Sequence, residues 1–532
     1  MKPSQAVVII GAGVAGLATA ALLARAGYQV QVLEQHSRIG GRAGVLERDG
    51  FHFDTGPSWY LMPQVFEHFF ELLGTSAQRE LDLELLDPGY RVFAEPEVAG
   101  EPGMWVDVPY GEERVRAVFE ALEPGAGAVL AQYLESARHA VAMAEKYFLY
   151  NPFKSPRKLL APEVVRNLDQ LTVLLGTSLE KFIARRFKHP LLRQILGYPA
   201  VFLGTNPAQA PAMYHLMSAL DLDDGVLYPR GGFWALMTKF ADLARAAGAE
   251  IITGAQVSAI TTKPASKLGR KRRAVTGVTW TDRDGGANHT SAEIVVSAAD
   301  LHHTETQLLS ARDRSYPQRW WDKKQSGPGA VLTLLGVEGE LPQLAHHSLF
   351  FTRDWEANFG AIFGDDPTVP DPASLYVSRA SATDPQSAPV GSEQLFILTP
   401  VPADAAIGHG GADGGGDAQV EEIAHRSIAQ VAQWAGIADL SERITVRETV
   451  GPADFARDYH AWSAGMLGPS HTLGQSAMFR AQNASKKVAG LYYAGGSTAP
   501  GIGVPMCLIS AELVLKHLRG DHSAGPLPME RS

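Results

Sequence analysis

The chain has 532 residues, too many for one hydrophobic core, so we expect two or three domains. Hydrophobic residues make up 45% and charged residues 20% of the sequence, as in folded proteins, and the formal net charge of -10 argues against general nucleic-acid binding. Cys507 is the single cysteine, which excludes an internal disulfide framework and a cysteine metal cluster and suits a reducing cytoplasm.

The N-terminal segment alternates between strand and helix patterns. Val7–Ile10 is a short β-branched run and predicts a buried parallel strand. A glycine turn follows, then a helical pattern over residues 17–26 and a second strand pattern over residues 28–33 that ends at Glu34. Because glycines interrupt the apolar run between residues 6 and 24, a strand–turn–helix unit explains it better than a signal peptide or a membrane span.

The residues of this turn each have a physical task in binding a dinucleotide. Gly11 permits the tight turn, Gly13 lets the backbone approach a pyrophosphate, and Gly16 lets helix and strand pack closely. Ala15 lies in the first helical turn, whose free N–H groups can face phosphates. Glu34 can accept hydrogen bonds from both ribose hydroxyls, which selects against a 2′-phosphate. Together these features predict a dinucleotide site.

Two further glycine segments indicate which dinucleotide is bound. Gly40-Gly41-Arg42 comes soon after the acid, and Gly56-Pro57 follows a short predicted hairpin. The double glycine with arginine resembles the segment that follows the ribose acid in the amine-oxidase and phytoene-desaturase superfamily of flavoproteins. In that superfamily the segment runs along the diphosphate and flavin side of FAD, so FAD is the expected cofactor.

The predicted fold class is α/β, and the predicted elements divide the chain into two domains. A Rossmann-like FAD-binding domain is assembled from three discontinuous pieces, residues 1–115, 226–300 and 486–520. The intervening residues 116–225 and 301–485 form an α+β substrate domain.

Three shorter segments carry no helix or strand pattern. Residues 405–417 contain six glycines and predict a flexible surface loop or disordered insert. Residues 521–532 are polar and contain proline, so we expect an unstructured tail. The basic stretch Lys263–Arg273 is predicted to be the turn of a hairpin.

Five segments carry a family resemblance. In chain order they are GAGVAGLATAALLARAGYQVQVLEQHSRIGGRAG, DTGPSWY, YPRGGFWALMTKFADLARAAGAEI, TLGQSAMFRAQN and LYYAGGSTAPGIGVPMCLISAEL. Along most of its length the chain resembles the bacterial phytoene desaturase family of carotenoid biosynthesis. The resemblance implies desaturation of phytoene or a related linear carotene toward lycopene-type polyenes, by hydride transfer to flavin N5 and proton loss. The alternatives are a carotenoid isomerase or oxidase, an amine oxidase, and a non-catalytic FAD- or lipid-binding protein.

The last of these segments is implied to hold the flavin end of FAD. Its residues are Gly495, Gly496, Gly503, Val504, Pro505 and Met506. The start of the final helix can stabilise negative charge on the reduced flavin near N1. Val257 completes the expected cofactor-binding residues. The chain departs from the pattern at Ala499, where many family members have histidine, and at Gly495-Gly496, where the wider flavoprotein group has an acid.

The sequence identifies no catalytic acid or base. The candidates are His215, Asp221, Asp223, Asp224, Asp454 and His460, and each is more typical of a solvated or hydrogen-bonded polar residue. Desaturation can proceed without a strong base, because a carbocation-like intermediate is very acidic at the adjacent carbon. No spacing of histidines and acids predicts a metal site or nucleophilic catalysis. Six aromatic residues can line a tunnel or belong to the core: Trp59, Tyr60, Phe148, Tyr150, Trp234 and Trp462.

A helical stripe near residues 165–220 bears on how a lipid substrate arrives. Its apolar members are Leu171, Leu174, Leu175, Leu179, Phe182, Ile183 and Phe187, and its basic neighbours are Lys181, Arg185, Arg186, Lys188 and Arg193. The pattern is typical both of a membrane-docking helix and of a core helix with solvated charges. The resemblance implies peripheral association with the inner face of the cell membrane from the cytoplasm. It also implies oxygen or a quinone as electron acceptor.

Overall fold

The computed structural model describes residues 5–154, 162–265 and 273–529. The strands are β1 (Ala6–Ile10), β2 (Gln29–Glu34), β3 (Val45–Arg48), β4 (Phe51–Asp54), β5 (Leu83–Leu85), β6 (Tyr90–Ala94), β7 (Trp105–Val108), β8 (Leu227–Pro229), β9 (Glu250–Thr253), β10 (Gln256–Pro264), β11 (Arg273–Thr281), β12 (Ala287–Ser291), β13 (Ile294–Ser297), β14 (Gly329–Glu338), β15 (His347–Phe351), β16 (Leu375–Ser378), β17 (Ser392–Val401), β18 (Ile444–Val450), β19 (Val488–Ala489) and β20 (Leu491–Tyr493). The α-helices are α1 (Val14–Arg25), α2 (Pro63–Leu72), α3 (Ala77–Glu80), α4 (Glu112–Leu122), α5 (Ala126–Ala144), α6 (Pro162–Arg166), α7 (Leu168–Gly176), α8 (Leu179–Ala184), α9 (Pro190–Gly197), α10 (Pro199–Phe202), α11 (Met217–Leu222), α12 (Gly232–Ala246), α13 (Leu301–His303), α14 (Gln318–Trp321), α15 (Trp355–Phe363), α16 (Ala418–Trp434), α17 (Pro452–Tyr459) and α18 (Val504–Arg519). Most of the predicted hairpin turn between β10 and β11 lies outside the described residues.

A five-stranded parallel sheet joins the three predicted pieces of the FAD-binding domain. Its order is β20-β13-β1-β2-β9, and every neighbouring pair is parallel. The apolar strands β1 and β13 lie at its centre, where both faces are covered, and so their β-branched runs are buried. One face packs against α1, α12 and α18, which form one core with α2. The expected α/β fold, assembled from discontinuous segments, is confirmed.

A seven-stranded mixed sheet forms the centre of the second unit. Its order is β18-β14-β17-β16-β15-β6-β7, with antiparallel pairs except for β15 and β6. One face packs against α16. The other face packs against α5, α8 and α9. This arrangement is the predicted α+β domain.

Two boundaries of the predicted domains differ in the structure. Strands β6 and β7 fall within residues 1–115 but extend the seven-stranded sheet, because Val92 and Phe93 alternate between the two cores on its faces. Residues 301–321 were predicted to belong to the substrate domain. Instead Leu308 and Trp321 pack with Val8 of β1, because the chain leaving β13 folds back across the parallel sheet.

The predicted helical stripe is divided between two helices and is mostly core. Helix α7 ends at Gly176 and α8 begins at Leu179, with the Ser178 side chain accepting a hydrogen bond from the N–H of Lys181. The members from Leu179 to Phe187 are buried in the core of the second unit. Leu175 and other side chains of α7 remain exposed. Across the described ranges, no helix combines the length and the apolar character needed to cross a membrane.

The glycine-rich residues 405–417 are held in place rather than flexible. Asp454 accepts hydrogen bonds from the N–H of Gly410 (2.7 Å) and from His409 (2.9 Å), and Thr449 accepts one from the N–H of Gly411 (2.9 Å). The backbone N–H groups that a glycine-rich loop would otherwise leave to water are therefore satisfied by side chains of the second unit.

The tail is also ordered where the structure describes it, up to residue 529. The buried Lys516 ammonium donates to the carbonyls of Tyr150, Ser523 and Gly525 at 2.7–2.8 Å. Leu527 is buried. The expectation of an unstructured tail was wrong for residues 521–529, because a buried cation and an apolar side chain hold them against the body of the protein.

Candidate active site

One large cavity connects the two units of the fold. Its volume is about 730 Å³, and it extends from the carboxyl ends of β1 and β2 to the seven-stranded sheet. Sixteen of the seventeen residues predicted to bind the cofactor line it: Gly11, Gly13, Ala15, Glu34, Gly40, Gly41, Arg42, Gly56, Pro57, Val257, Gly495, Gly496, Gly503, Val504, Pro505 and Met506. The fold therefore brings together residues that are up to 495 positions apart in the sequence.

Gly16 is the predicted site residue that does not line the cavity. A Cβ atom at this position would lie 1.9 Å from the carbonyl oxygen of Gly11. The absence of a side chain therefore lets α1 approach the turn that follows β1. Gly16 acts on the site through packing, as the motif predicts.

Glu34 ends β2 with its carboxylate fixed beside the glycine turn. The side chain is buried and accepts hydrogen bonds from the N–H groups of Ala12 (2.7 Å) and His36 (2.9 Å). These bonds hold the carboxylate at the cavity wall and leave further lone pairs available to a ligand. Such an acceptor fits the hydroxyls of a ribose.

The segment from Gly40 to Arg42 lies against the first glycine turn. The N–H of Gly40 donates to the carbonyl of Ala12 (2.8 Å), and Gly13 and Gly40 form a backbone bridge. Arg42 lines the cavity, and its buried Nε has no hydrogen-bond partner in the described part of the chain. A buried cationic donor without a partner fits an anionic group such as a diphosphate.

A second wall of the cavity is the loop from Gly495 to Gly503 at the start of α18. Ser510 of α18 accepts a hydrogen bond from the N–H of Gly495 (2.9 Å), and the amide of Asn483 donates to the carbonyl of Ala499 (2.9 Å). Helix α18 has 16 residues, and its first turn, with Val504, Pro505 and Met506, lines the cavity. The positive end of this helix therefore faces the site.

Arg480 supports the same loop from behind, a role that the sequence did not identify. Its guanidinium is buried and donates to the carbonyls of Gly496, Thr498 (3.1 Å) and Gln475 (3.2 Å). Burial lowers the pKa of this group to about 10. The segment TLGQSAMFRAQN, which carries part of the family resemblance, offered a sequence signal, but only the fold shows which carbonyls the arginine reaches.

A chain of hydrogen bonds through His471 also reaches the loop from Gly495 to Gly503. The N–H of Ile502 donates to Nε2 of His471 (3.2 Å), so Nδ1 carries the proton and donates to the Tyr214 hydroxyl (2.7 Å). Tyr214 in turn donates to Ser476 (2.9 Å). Burial lowers the pKa of His471 well below its ordinary value, so it is neutral. These hydrogen bonds connect the loop from Gly495 to Gly503 with the second unit.

The far part of the cavity is apolar and rich in aromatic rings. Trp59, Tyr198, Phe202, Phe351, Trp355 and Tyr376 line it. The indole of Trp59 lies 5.3 Å from the ring of Phe202 and 6.0 Å from that of Tyr198. Of the aromatic residues considered from the sequence, Trp59 and Phe148 line this cavity, and Tyr60 is buried in the core. This lining suits a long hydrophobic ligand.

The candidate acids and bases are scattered. His460 lines the cavity, where its ring stacks on that of His303 at 3.9 Å. Asp221 is buried behind Tyr198. His215 and Asp454 are buried elsewhere, Asp223 pairs with Arg138, and Asp224 is exposed.

Asp300 is a cavity-lining acid that sequence analysis missed. It lies three positions after the end of β13, and it is buried. Burial raises its pKa, and Arg42 acts in the opposite direction. The rule that ligands bind at the carboxyl ends of parallel strands could have located it.

The chain is similar to flavoproteins over almost its whole length. The family model described as flavin containing amine oxidoreductase matches residues 14–514. A carotenoid 3,4-desaturase of Haloarcula japonica is 38% identical over 506 residues, covering 95% of this chain and 96% of the relative. A zeta-carotene-forming phytoene desaturase of Myxococcus xanthus is 31% identical over 515 residues, covering 96% and 93%.

A solved structure supports the same fold. An oxidoreductase from Methanosarcina mazei has a TM-score of 0.62 at 17% identity, covering 96% of this chain and all of that chain. At this identity the likeness concerns the fold alone. The family match and the two relatives carry the assignment further: the chain belongs to the flavin-containing amine oxidoreductase family.

Proposed function

We propose that this protein is an FAD-dependent desaturase of linear carotenoids. The observation that carries the proposal is one continuous cavity, in which the residues predicted to bind a dinucleotide at one end open onto an apolar, aromatic space at the other. A substrate without charge can be held only by apolar contact and shape, and this space provides both.

FAD supplies the oxidising chemistry when it is bound, by accepting a hydride. The chain's own residues would bind and orient it: Glu34 would accept hydrogen bonds from a ribose, and the turn at Gly13 together with Arg42 would hold the diphosphate. The loop at Gly495 and the start of α18 would hold the flavin end. The aromatic walls exclude water and align two neighbouring carbons of the substrate.

The substrate is either phytoene or a carotene that is already partly conjugated. Similarity to a phytoene desaturase favours the first, and the 38% identity to a carotenoid 3,4-desaturase favours the second. Anaerobic mixing of the FAD-loaded protein with phytoene and, separately, with lycopene discriminates between them. The true substrate bleaches the flavin absorbance and gains absorbance at longer wavelength. An unchanged flavin with both substrates refutes the proposal, and bleaching by a polyamine instead supports amine oxidation.

Reoxidation of the bleached enzyme identifies the electron acceptor. We propose oxygen or a quinone, because either can take two electrons from a reduced flavin. Return of the flavin absorbance after adding aerated buffer or an anaerobic quinone shows which is used. Failure of both to reoxidise the flavin contradicts this part of the proposal.

We further propose that the cavity mouth docks on the inner face of the cell membrane. Four exposed apolar residues also line the cavity and so mark its opening: Leu175, Leu473, Met478 and Phe479. An opening surrounded by apolar side chains lets a carotene enter without crossing water.

Vesicle sedimentation tests the docking surface. The double substitution Met478→Ser and Phe479→Ser is expected to weaken binding to vesicles that contain anionic lipid. Val390→Ser is the matched control, because Val390 is fully exposed but does not line the cavity. Equal vesicle binding of both variants and the unmodified protein contradicts the proposed docking surface.

A further inference from the structure

A carboxylate lies buried directly behind the aromatic part of the cavity. Asp221 of α11 is 5% exposed. Its Oδ2 accepts hydrogen bonds from the hydroxyls of Tyr198 (2.8 Å) and Tyr90 (3.2 Å). Its Oδ1 has no hydrogen-bond partner within the described ranges. A buried carboxylate whose hydrogen bonds come from two neutral phenols is costly to folding.

The two tyrosines connect this carboxylate to the cavity wall. Both rings pack against Trp59, with ring centroids 5.3 Å (Tyr90) and 6.0 Å (Tyr198) from the indole. Tyr198 and Trp59 line the cavity themselves, whereas Asp221 does not. Trp59 also lies two positions after Pro57, so the aromatic part of the cavity adjoins the part predicted to bind the cofactor. The negative charge is therefore one phenol ring away from the cavity.

We propose that Asp221 is a positioning residue that, through Tyr198 and Trp59, stabilises positive charge on the carotenoid during desaturation. The inference rests on the proposed function. The aromatic faces attract a cation, and the carboxylate polarises the phenol that forms part of this wall. Because water is largely excluded from this wall, the charge acts at short range through a weakly screening medium.

The reaction creates such a charge. One carbon of the substrate loses its hydrogen together with the bonding electron pair to FAD, which leaves a carbocation. The neighbouring carbon then loses a proton to water, and the electrons of that C–H bond form the new π bond. The substrate loses two hydrogens in total, and the flavin gains a hydride. Groups that bind the cation more tightly than the neutral substrate accelerate the first step.

The ionisation of Asp221 falls in the physiological pH range. Burial raises its pKa to about 7. The titratable groups around it stay neutral there. Burial raises the pKa values of Tyr90, Tyr198 and Tyr133 and lowers those of His215 and His347. Turnover is therefore expected to increase as the pH rises through about 7, because the carboxylate and not the carboxylic acid stabilises the cation.

A pair of ligands tests the inference without turnover. The probes are N,N-dimethyldodecylammonium and its uncharged carbon isostere, 2-methyltetradecane, each competing with the carotenoid for the FAD-loaded enzyme at pH 8. The unmodified protein is expected to prefer the ammonium by about tenfold over the isostere. Asp221→Asn, which removes the charge and keeps an acceptor for Tyr198, is expected to lose that preference. A preference that survives in the variant overturns the inference.

Turnover provides the second readout. In Asp221→Asn we expect kcat to fall about tenfold or more with KM nearly unchanged, and the pH dependence near 7 to disappear. Asp224→Asn is the matched control, because it removes an exposed acid three residues away. Should both variants desaturate carotenoid like the unmodified protein, the inference fails while the proposed function stands. Absence of activity in the unmodified protein would instead refute the proposed function.

Discussion

At the scale of single residues, Gly13 and Gly16 perform different tasks although they belong to the same short turn. A Cβ at Gly16 would collide with the backbone carbonyl of Gly11 at 1.9 Å. A Cβ at Gly13 would meet nothing closer than the Gly40 carbonyl at 3.8 Å. Since Gly13 lines the cavity and Gly16 does not, the space at Gly13 is kept for a ligand and the space at Gly16 is kept for packing.

Alanine at Gly16 is expected to lower stability, whereas alanine at Gly13 is expected to weaken FAD binding. Gly16→Ala should lower the melting temperature of the FAD-free protein, because α1 must move away from β1. Gly13→Ala should leave that temperature nearly unchanged and weaken FAD binding about tenfold or more, because the methyl group keeps the diphosphate away from the backbone. Thermal unfolding and FAD fluorescence titration measure the two effects. Equal loss of stability in both variants would contradict this division of tasks.

At the scale of elements, helical periodicity was a poor guide to where helices end and what they contact. The apolar stripe from Leu171 to Phe187 keeps its spacing across Thr177, yet α7 and α8 are separate helices. Only α7 leaves apolar side chains exposed, while α8 is buried against the seven-stranded sheet. The same apolar pattern therefore occurs on a partly exposed helix and on a buried one, and periodicity does not distinguish the two environments.

The loop at residues 405–417 shows that composition, like periodicity, does not reveal the tertiary contacts of a segment. Glycine content predicted flexibility, but the loop is anchored by Asp454, which is buried and accepts from Gly410, Gly451 and His409. Such anchors lie outside the loop in the sequence. No count of glycines within the loop can therefore reveal them.

Removing the anchor is expected to release this loop. Asp454→Ala leaves several buried N–H donors without an acceptor, which costs about 1–3 kcal/mol. We expect cleavage at residues 405–417 in limited proteolysis and faster amide exchange there. Asp413→Asn is the control, because its ion pair with Arg48 lies on the surface and contributes little. A loop that stays protected in Asp454→Ala would show that this carboxylate is not the anchor.

At the scale of the whole molecule, the C-terminal segment packs against the N-terminal part of the FAD-binding fold. Strand β20 pairs with β13 and α18 packs on α1. Beyond α18, the tail runs over Tyr150, held by Lys516, and the Glu512 carboxylate accepts from the N–H of Leu527 (2.6 Å). Residues 521–529 are thus part of the folded body.

Truncation after Gly520 is expected to destabilise the whole protein. The buried Lys516 ammonium would lose the carbonyls of Ser523 and Gly525, and Leu527 would leave its apolar site. We expect the melting temperature to fall by several degrees. The matched control is Met529→Ala, which changes an exposed side chain of the same segment and should have no effect. If the truncated protein melts like the full chain, the tail does not contribute to stability.

The sequence by itself determined the nucleotide end of the site. Strand, glycine turn, helix and acid lie within thirty residues, and local backbone geometry is dictated by neighbouring residues, so Gly11 to Glu34 could be assigned without a fold. The later segments from Gly40 to Pro57 and from Gly495 to Met506 required the resemblance to known flavoproteins.

Tertiary structure alone decided the rest of the cavity and the residues that support it from behind. Asp300, His471, Arg480 and the pair of Asp221 with Tyr198 come from distant segments, and their roles depend on burial and on partners that no local pattern encodes. Desolvation and hydrogen bonding set what a polar side chain does, and both depend on which segments the fold brings together. For the same reason, β6 and β7 joined the second sheet, and most of the stripe, whose pattern is typical of both a membrane-docking helix and a core helix, became core.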